Sequence, residues 1–155
     1  MMKALTLLLA TDGSPSSLHA AEWLNQFVSP EHTQITLATV VTVPAIDHFA
    51  TTGLYPNSGE LYQEALEEAY QEAQKKAQTA LTETAAKLTA CPPVTTVTLS
   101  GNPADAIVDY AQSHHVDVIV MGRRGHSALG NLFGSVSFGV LQRSKIPVTI
   151  VEMDH

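Results

Sequence analysis

At 155 residues, the chain fits one domain and is long enough to bury a proper core. A hydrophobic fraction of 45% and a mean hydropathy of +0.06 describe a soluble globular protein, and no apolar run approaches the ~20 residues of a membrane span. A net charge of −7 with a pI near 5.3 argues against nucleic acid or an anionic membrane as partner.

The opening MMKALTLLLATDGS places one Lys before an apolar run, as a signal peptide does. That run is short and ends in Thr-Asp-Gly rather than at a small-residue cleavage site. A buried first strand, Lys3 to Ala10, fits it better. Ser14 then offers an N-cap with Pro15 at the first helical position, predicting a helix from Pro15 to about Val28. Its apolar face is Leu18, Ala21, Leu24 and Val28. Gln34 to Val43 is rich in β-branched residues and predicts the second strand. Ala45 to Gly59 has no clear period and is expected to be a mobile loop.

Glu60 to about Thr89 predicts a long crossover helix with Tyr62, Leu66, Ala69, Ala73, Ala77, Ala80 and Leu88 on one stripe. A free coiled coil is the rival, but its seam would be mostly Ala and weak. The acidic residues Glu64, Glu67, Glu68 and Glu72 read as a solvated face. The single cysteine, Cys91, precedes Pro92-Pro93; it has no disulfide partner, which suits a reducing cytoplasm. Pro93 to Ser100 predicts a third strand. Asn102, Pro103 and Asp105 repeat the helix-start pattern, with a helix to about Ser113 burying Ala106, Ile107 and Tyr110. Val116 to Met121 and Pro147 to Glu152 predict strands four and five.

Strands that alternate with helices and read as buried imply an α/β fold. The expected architecture is an open, doubly wound, five-stranded parallel sheet with helices on both faces. Such sheets bind ligands at the carboxyl ends of strands, where the winding reverses. With strand order 3-2-1-4-5, a fold-level inference, Thr11-Asp12-Gly13-Ser14 and the segment from Gly122 to Ser137 become neighbours.

The second of those segments carries the chemistry. All three arginines of the chain, Arg123, Arg124 and Arg143, fall between Val116 and Val151. Gly122 and Gly125 permit positive φ and let backbone N–H groups approach an oxyanion. Gly134-Ser135-Val136-Ser137 sets N–H groups and two hydroxyls at the positive end of a helix. Arg123 and Arg124 are placed to offset phosphate charge. The plainer alternative, that the glycines make turns and Ser135 caps a helix, covers one glycine and one serine but not the whole loop. A P-loop is excluded because Asn131-Leu132 stands where Lys and Ser/Thr are required, and neither G-x-G-x-x-G nor G-x-S-x-G occurs.

Over nearly its whole length the chain resembles the universal stress protein family. The resemblance rests on Ala10-Thr11-Asp12-Gly13-Ser14, the Gly101-Asn102-Pro103 turn, the strand Val116 to Gly122, Gly134-Ser135-Val136-Ser137, and Ile146-Pro147-Val148. The ATP-binding branch of that family carries G-x2-G-x9-G-(S/T). Here Gly122-x2-Gly125 is followed by eight residues before Gly134-Ser135, one fewer.

The resemblance implies a cytoplasmic adenine-nucleotide binder, for ATP or AMP, acting as a stress-response regulator or signalling module. Thr11, Asp12 and the backbone near Val40 would hold the adenosine. Gly122, Arg123, Gly125, Gly134, Ser135, Val136 and Ser137 would lie against the ribose and phosphates. Met121, Arg124 and His126 complete the candidate set. Asp12 would accept from a ribose hydroxyl or, with Ser135, help hold Mg²⁺ brought by the nucleotide; its plainer role is to brace the turn at Gly13. The alternative is a member of the same family that binds no nucleotide and acts through protein–protein contacts.

Among the seven histidines, only His126 lies in the glycine loop; it suits a phosphate contact but has no visible orienting partner for general-base work. His48 lies in the long loop, and His114-His115 end a helix at the opposite edge. No spacing reads as a metal site, and no nucleophile–base pair stands out. Turnover is expected to be absent or limited to slow ATP hydrolysis by positioning and Mg²⁺. Adenylating relatives of this architecture rank last, because their S-G-G-x-D-S, H-I-G-H-like and K-M-S-K-S-like signatures are absent. Family resemblance also implies a homodimer, with the fifth strand, Val148 to Val151, as a sheet edge open to pairing.

Overall fold

The computed structural model describes residues 3–42, 58–90, 93–124 and 134–153. Within them, five strands alternate with four helices. They run β1 (Leu5–Ala10), α1 (Pro15–Leu24), β2 (Thr33–Val41), α2 (Ser58–Lys87), β3 (Thr95–Ser100), α3 (Pro103–Ser113), β4 (Val118–Gly122), α4 (Ser135–Arg143) and β5 (Val148–Val151). All ladders are parallel and the sheet order is β3-β2-β1-β4-β5, the architecture anticipated above. The expected loop from Ala45 to Gly59 falls almost wholly outside the described residues, as do Cys91, Gly125 and His126.

Burial on both sheet faces explains the continuous apolar run of β1. Leu7 and Leu9 point into one core with Ala20, Ala21 and Leu24 of α1 and Leu81 of α2. Leu8 and Ala10 point into the other, with Ala104, Ile107 and Ala111 of α3 and Val140 of α4. Side chains alternate along a strand, so a strand sandwiched between helices needs apolar residues at every position.

The capping residues act as their types dictate. The Ser14 Oγ accepts from the Ser17 N–H, the Asn102 Oδ1 accepts from the Asp105 N–H, and a proline follows each cap. Helix α1 is shorter than the period predicts, ending at Leu24 rather than Val28. Here tertiary bonding overrides periodicity: the Asn25 side chain donates to the Lys87 carbonyl and accepts from the Ala90 N–H. The chain beyond it tightens into i→i−3 bonds from Asn25, Gln26 and Phe27.

Helix α2 divides into two halves. Ala77, Ala80, Leu81 and Thr84, with Leu88 just past its end, are buried against the body. Of the predicted stripe, Tyr62, Ala69 and Ala73 are only half-buried, and Leu66 is 39% exposed. At 1.5 Å per residue, the amino-terminal half of α2 runs out past the carboxyl edge of the sheet. Among the described residues, no helix is long and apolar enough to cross a membrane.

Candidate functional site

Strands β1, β2 and β4 all end at the same edge, where the chain leaves β1 toward one face and β4 toward the other. A cavity of about 430 Å³ opens there, within the range of small-ligand sites. Its floor and walls include Thr11, Asp12, Val40, Met121, Gly122, Arg124, Gly134, Ser135, Val136 and Ser137. Ten residues singled out from the sequence are therefore brought together around one space.

The turn after β1 is a closed hydrogen-bonded unit. Asp12 Oδ1 accepts from the Ser14 N–H at 2.9 Å and from the Ser17 Oγ at 2.8 Å, while Thr11 Oγ1 accepts from the Gly13 N–H at 3.1 Å. Asp12 thus braces the Gly13 turn and still borders the cavity. Gly13 has φ of +77° and Ala80 of α2 would stand only 3.1 Å from a Cβ placed there. Both its conformation and its neighbour require glycine.

The start of α4 has the opposite character. Gly134 is its N-cap and, as a glycine, supplies no side-chain capping bond. Ser137 does not cap; its hydroxyl donates to the carbonyls of Arg123 at 2.8 Å and Gly134 at 3.0 Å. Those bonds, with Gly134 N–H donating to the Arg123 carbonyl, tie α4 to the end of β4. The helix therefore presents backbone donors and its positive end to the cavity, which suits an anion.

Two sequence expectations are corrected. Gly122 lies in β4 and is not among the described residues with positive φ, which are Gly13, Gly101 and His115. It is glycine because α1 packs onto it: a Cβ would fall 2.7 Å from both the carbonyl carbon and oxygen of Ser16. Arg123 does not line the cavity. Its guanidinium turns to Glu152 and forms an ion pair, while Arg124 alone of the pair borders the space. Gly125 and His126 lie outside the described residues.

The cavity also has a wall that sequence reasoning missed. Ala73, Lys76, Ala77 and Ala80 of α2 face it, as do Thr39 of β2, Thr42 just after it, and Pro103 and Ile107 of α3. The alanines were legible as an apolar stripe, but as packing rather than as a ligand wall. Lys76 was hidden by its setting beside Lys75 in a charged helix. Helix α2 is held over the site by a buried hydroxyl pair, Thr11 Oγ1 to Thr84 Oγ1 at 2.7 Å, and Thr84 is fully buried. Asp12 is the only carboxylate on the described wall. Among the described residues no group of three or more His, Cys, Asp or Glu side chains forms a metal cage.

Together these features define a doubly wound α/β domain with an anion-suited cleft at its winding reversal. Residues 5–152 match the model of the universal stress protein family. The chain is 33% identical over 147 residues to universal stress protein MJ0531 of Methanocaldococcus jannaschii, covering 94% of this chain and 81% of that one. It is 34% identical to a universal stress protein of Thermus aquaticus, encoded in the QAH/OAS sulfhydrylase 3′ region, over 94% of this chain and 97% of the relative. A universal stress protein solved in complex with cAMP superposes with a TM-score of 0.56 at 27% identity, covering 97% of this chain and 98% of the other. The chain belongs to the universal stress protein family.

Proposed function

We propose that the cleft binds an adenine nucleotide, ATP or AMP, and that the chain serves as a stress-response regulator or signalling module in the cytoplasm. The observation that carries this reading is the start of α4, where the cap is a glycine with no side chain of its own to occupy the first-turn N–H groups, at a cavity also bordered by Arg124. A phosphate is the ligand that such a helix end accommodates best. The cAMP complex of a relative at 27% identity lends support from a second direction.

In this reading Val40 and Thr39 at the end of β2 border the nucleoside, and Gly134 to Ser137 receive a phosphate. Asp12 fits a Mg²⁺ brought by the nucleotide, since Mg²⁺ commonly takes one or two carboxylates together with phosphate oxygens. Acid extraction of the purified protein followed by mass spectrometry tests the proposal, with titration of Mg-ATP and AMP beside it. A co-purifying adenine nucleotide, or saturable binding below millimolar concentration, is the expected result. Failure of both would leave the family's protein–protein role as the better account.

We also propose a homodimer paired through β5. This strand is the last in the sheet order, and its residues Val148, Thr149 and Ile150 are only half-buried. Beside it, α4 exposes Phe138 at 52% and Leu141 at 41%. An apolar edge of this kind favours a partner strand. Ile150→Pro removes a donor that faces away from β4 and is expected to halve the mass measured by light scattering; an unchanged mass would count against edge pairing.

A further inference from the structure

The cavity is bordered by two cationic side chains, and they come from different elements. Arg124 follows β4 and is anchored by backbone: its N–H donates to Ser16 Oγ at 3.3 Å and its carbonyl accepts from Ser14 Oγ at 3.4 Å. Lys76 comes from α2, one turn before Ala80, the residue that packs on Gly13. Arg124 and Lys76 thus reach the same cavity from two elements, each packed beside the Asp12-Gly13-Ser14 turn.

Among the described residues, Lys76 is also without an ion-pair partner. Glu72 precedes it by four residues, the spacing and order that favour a helical ion pair, yet no carboxylate among the described residues lies within 4.0 Å of Lys76. Its neighbours Ala73, Ala77 and Ala80 all face the cavity, so it projects from the same side of the helix.

We propose that Lys76 is a second phosphate-binding cation and that the cleft selects nucleoside di- or triphosphates over monophosphates. This rests on the nucleotide reading given above. The α4 amino terminus and Arg124 are sufficient for one phosphate group. A second cation, reaching the cavity from α2, gains a partner when the ligand extends beyond that first phosphate. A lysine suits this role, since a mobile point charge can follow a flexible polyphosphate where a rigid fork cannot.

Calorimetric titration of ATP and AMP against the wild-type protein, Lys76→Ala and Lys75→Ala tests the assignment. Lys76 is exposed on a helix, so alanine is expected to leave the fold intact, and Lys76→Gln provides a second variant. Loss of one charge-assisted phosphate contact weakens binding roughly tenfold. That loss is expected for ATP with Lys76→Ala, with AMP affinity changed less than about twofold and Lys75→Ala neutral toward both. Wild-type binding of ATP that Lys76→Ala leaves unchanged overturns the role of Lys76 while keeping the nucleotide reading. Equal losses for ATP and AMP overturn the polyphosphate preference, and a wild type that binds neither nucleotide overturns both readings.

Discussion

The two turns that meet at the cleft are built from the same residue types and use them in opposite ways. After β1, the polar groups of Thr11, Asp12, Ser14 and Ser17 bond to one another, and Ser14 caps α1. After β4, Gly134 brings no side chain to the start of α4, and the Ser137 hydroxyl is turned toward carbonyls. One turn consumes its donors and so is a structural unit; the other has no capping side chain at Gly134 and starts its helix at the cavity. Serine and glycine at a strand end do not by themselves distinguish the two cases. What decides is whether a side-chain oxygen reaches the first-turn N–H groups.

The contact that joins the two turns should give the largest effect. Gly122 lies directly on the backbone of Ser16, so Gly122→Val forces β4 and α1 apart. Overpacking at this level costs about 2–3 kcal/mol, or roughly 5–10 °C in melting temperature for a domain of this size. Because the close atoms include the Ser16 carbonyl carbon and oxygen, adding Ser16→Ala is expected to restore little. A full rescue by that second change would put the clash in the side chain instead. Somewhat smaller is Thr84→Val, which leaves the Thr11 hydroxyl short of a buried partner at a cost of about 1–2 kcal/mol. Chemical denaturation reads it directly.

The comparison itself can then be inverted. Ser14→Ala strips the cap from the closed turn and should destabilise by about 1 kcal/mol. Gly134→Asp adds a cap to the open turn, where the backbone already has the extended conformation of an N-cap, φ −63° and ψ 154°. A capping carboxylate at that end should stabilise α4 by about 0.5–1 kcal/mol, while its charge and its occupation of the N–H groups expel an anion. Thermal melts and nucleotide titrations should therefore move in opposite directions for Gly134→Asp. If stability and binding rise together, the open helix end is not where the anion sits.

The strands and both proline-marked helix starts were legible because each rests on local chemistry or on burial that a run of apolar residues records, whereas the strand order came from fold-level inference. The end of α1 was not, since Asn25 is recruited by Lys87 and Ala90, more than sixty residues away in the chain. The purpose of Gly122 was misread for a related reason. A glycine required by a helix packing on it and one required by a phosphate look the same in sequence. Lys76 was overlooked because helical period assigns a face only by hydrophobicity, and a cationic residue facing a cavity counts against that face. The candidate site was thus visible where strand ends carry it and invisible where α2 does.

The smallest expected effect separates Arg123 from Arg124, which the sequence presents as a pair. Arg123 is bound to Glu152, itself 56% exposed, and such a pair contributes at most about 1 kcal/mol. Arg123→Ala should lower stability slightly and leave nucleotide affinity within about twofold, because the Arg123 group that touches α4 is its backbone carbonyl. Arg124→Ala should do the reverse, with little change in melting but weaker binding of ATP, since its side chain borders the cavity. The difference follows from the alternation of side chains at a strand end: neighbours in sequence there face apart, and only one can look into the cleft. Equal losses of affinity in the two variants would mean that the ligand recruits Arg123 from Glu152, and the open turn would then be larger than its resting geometry implies.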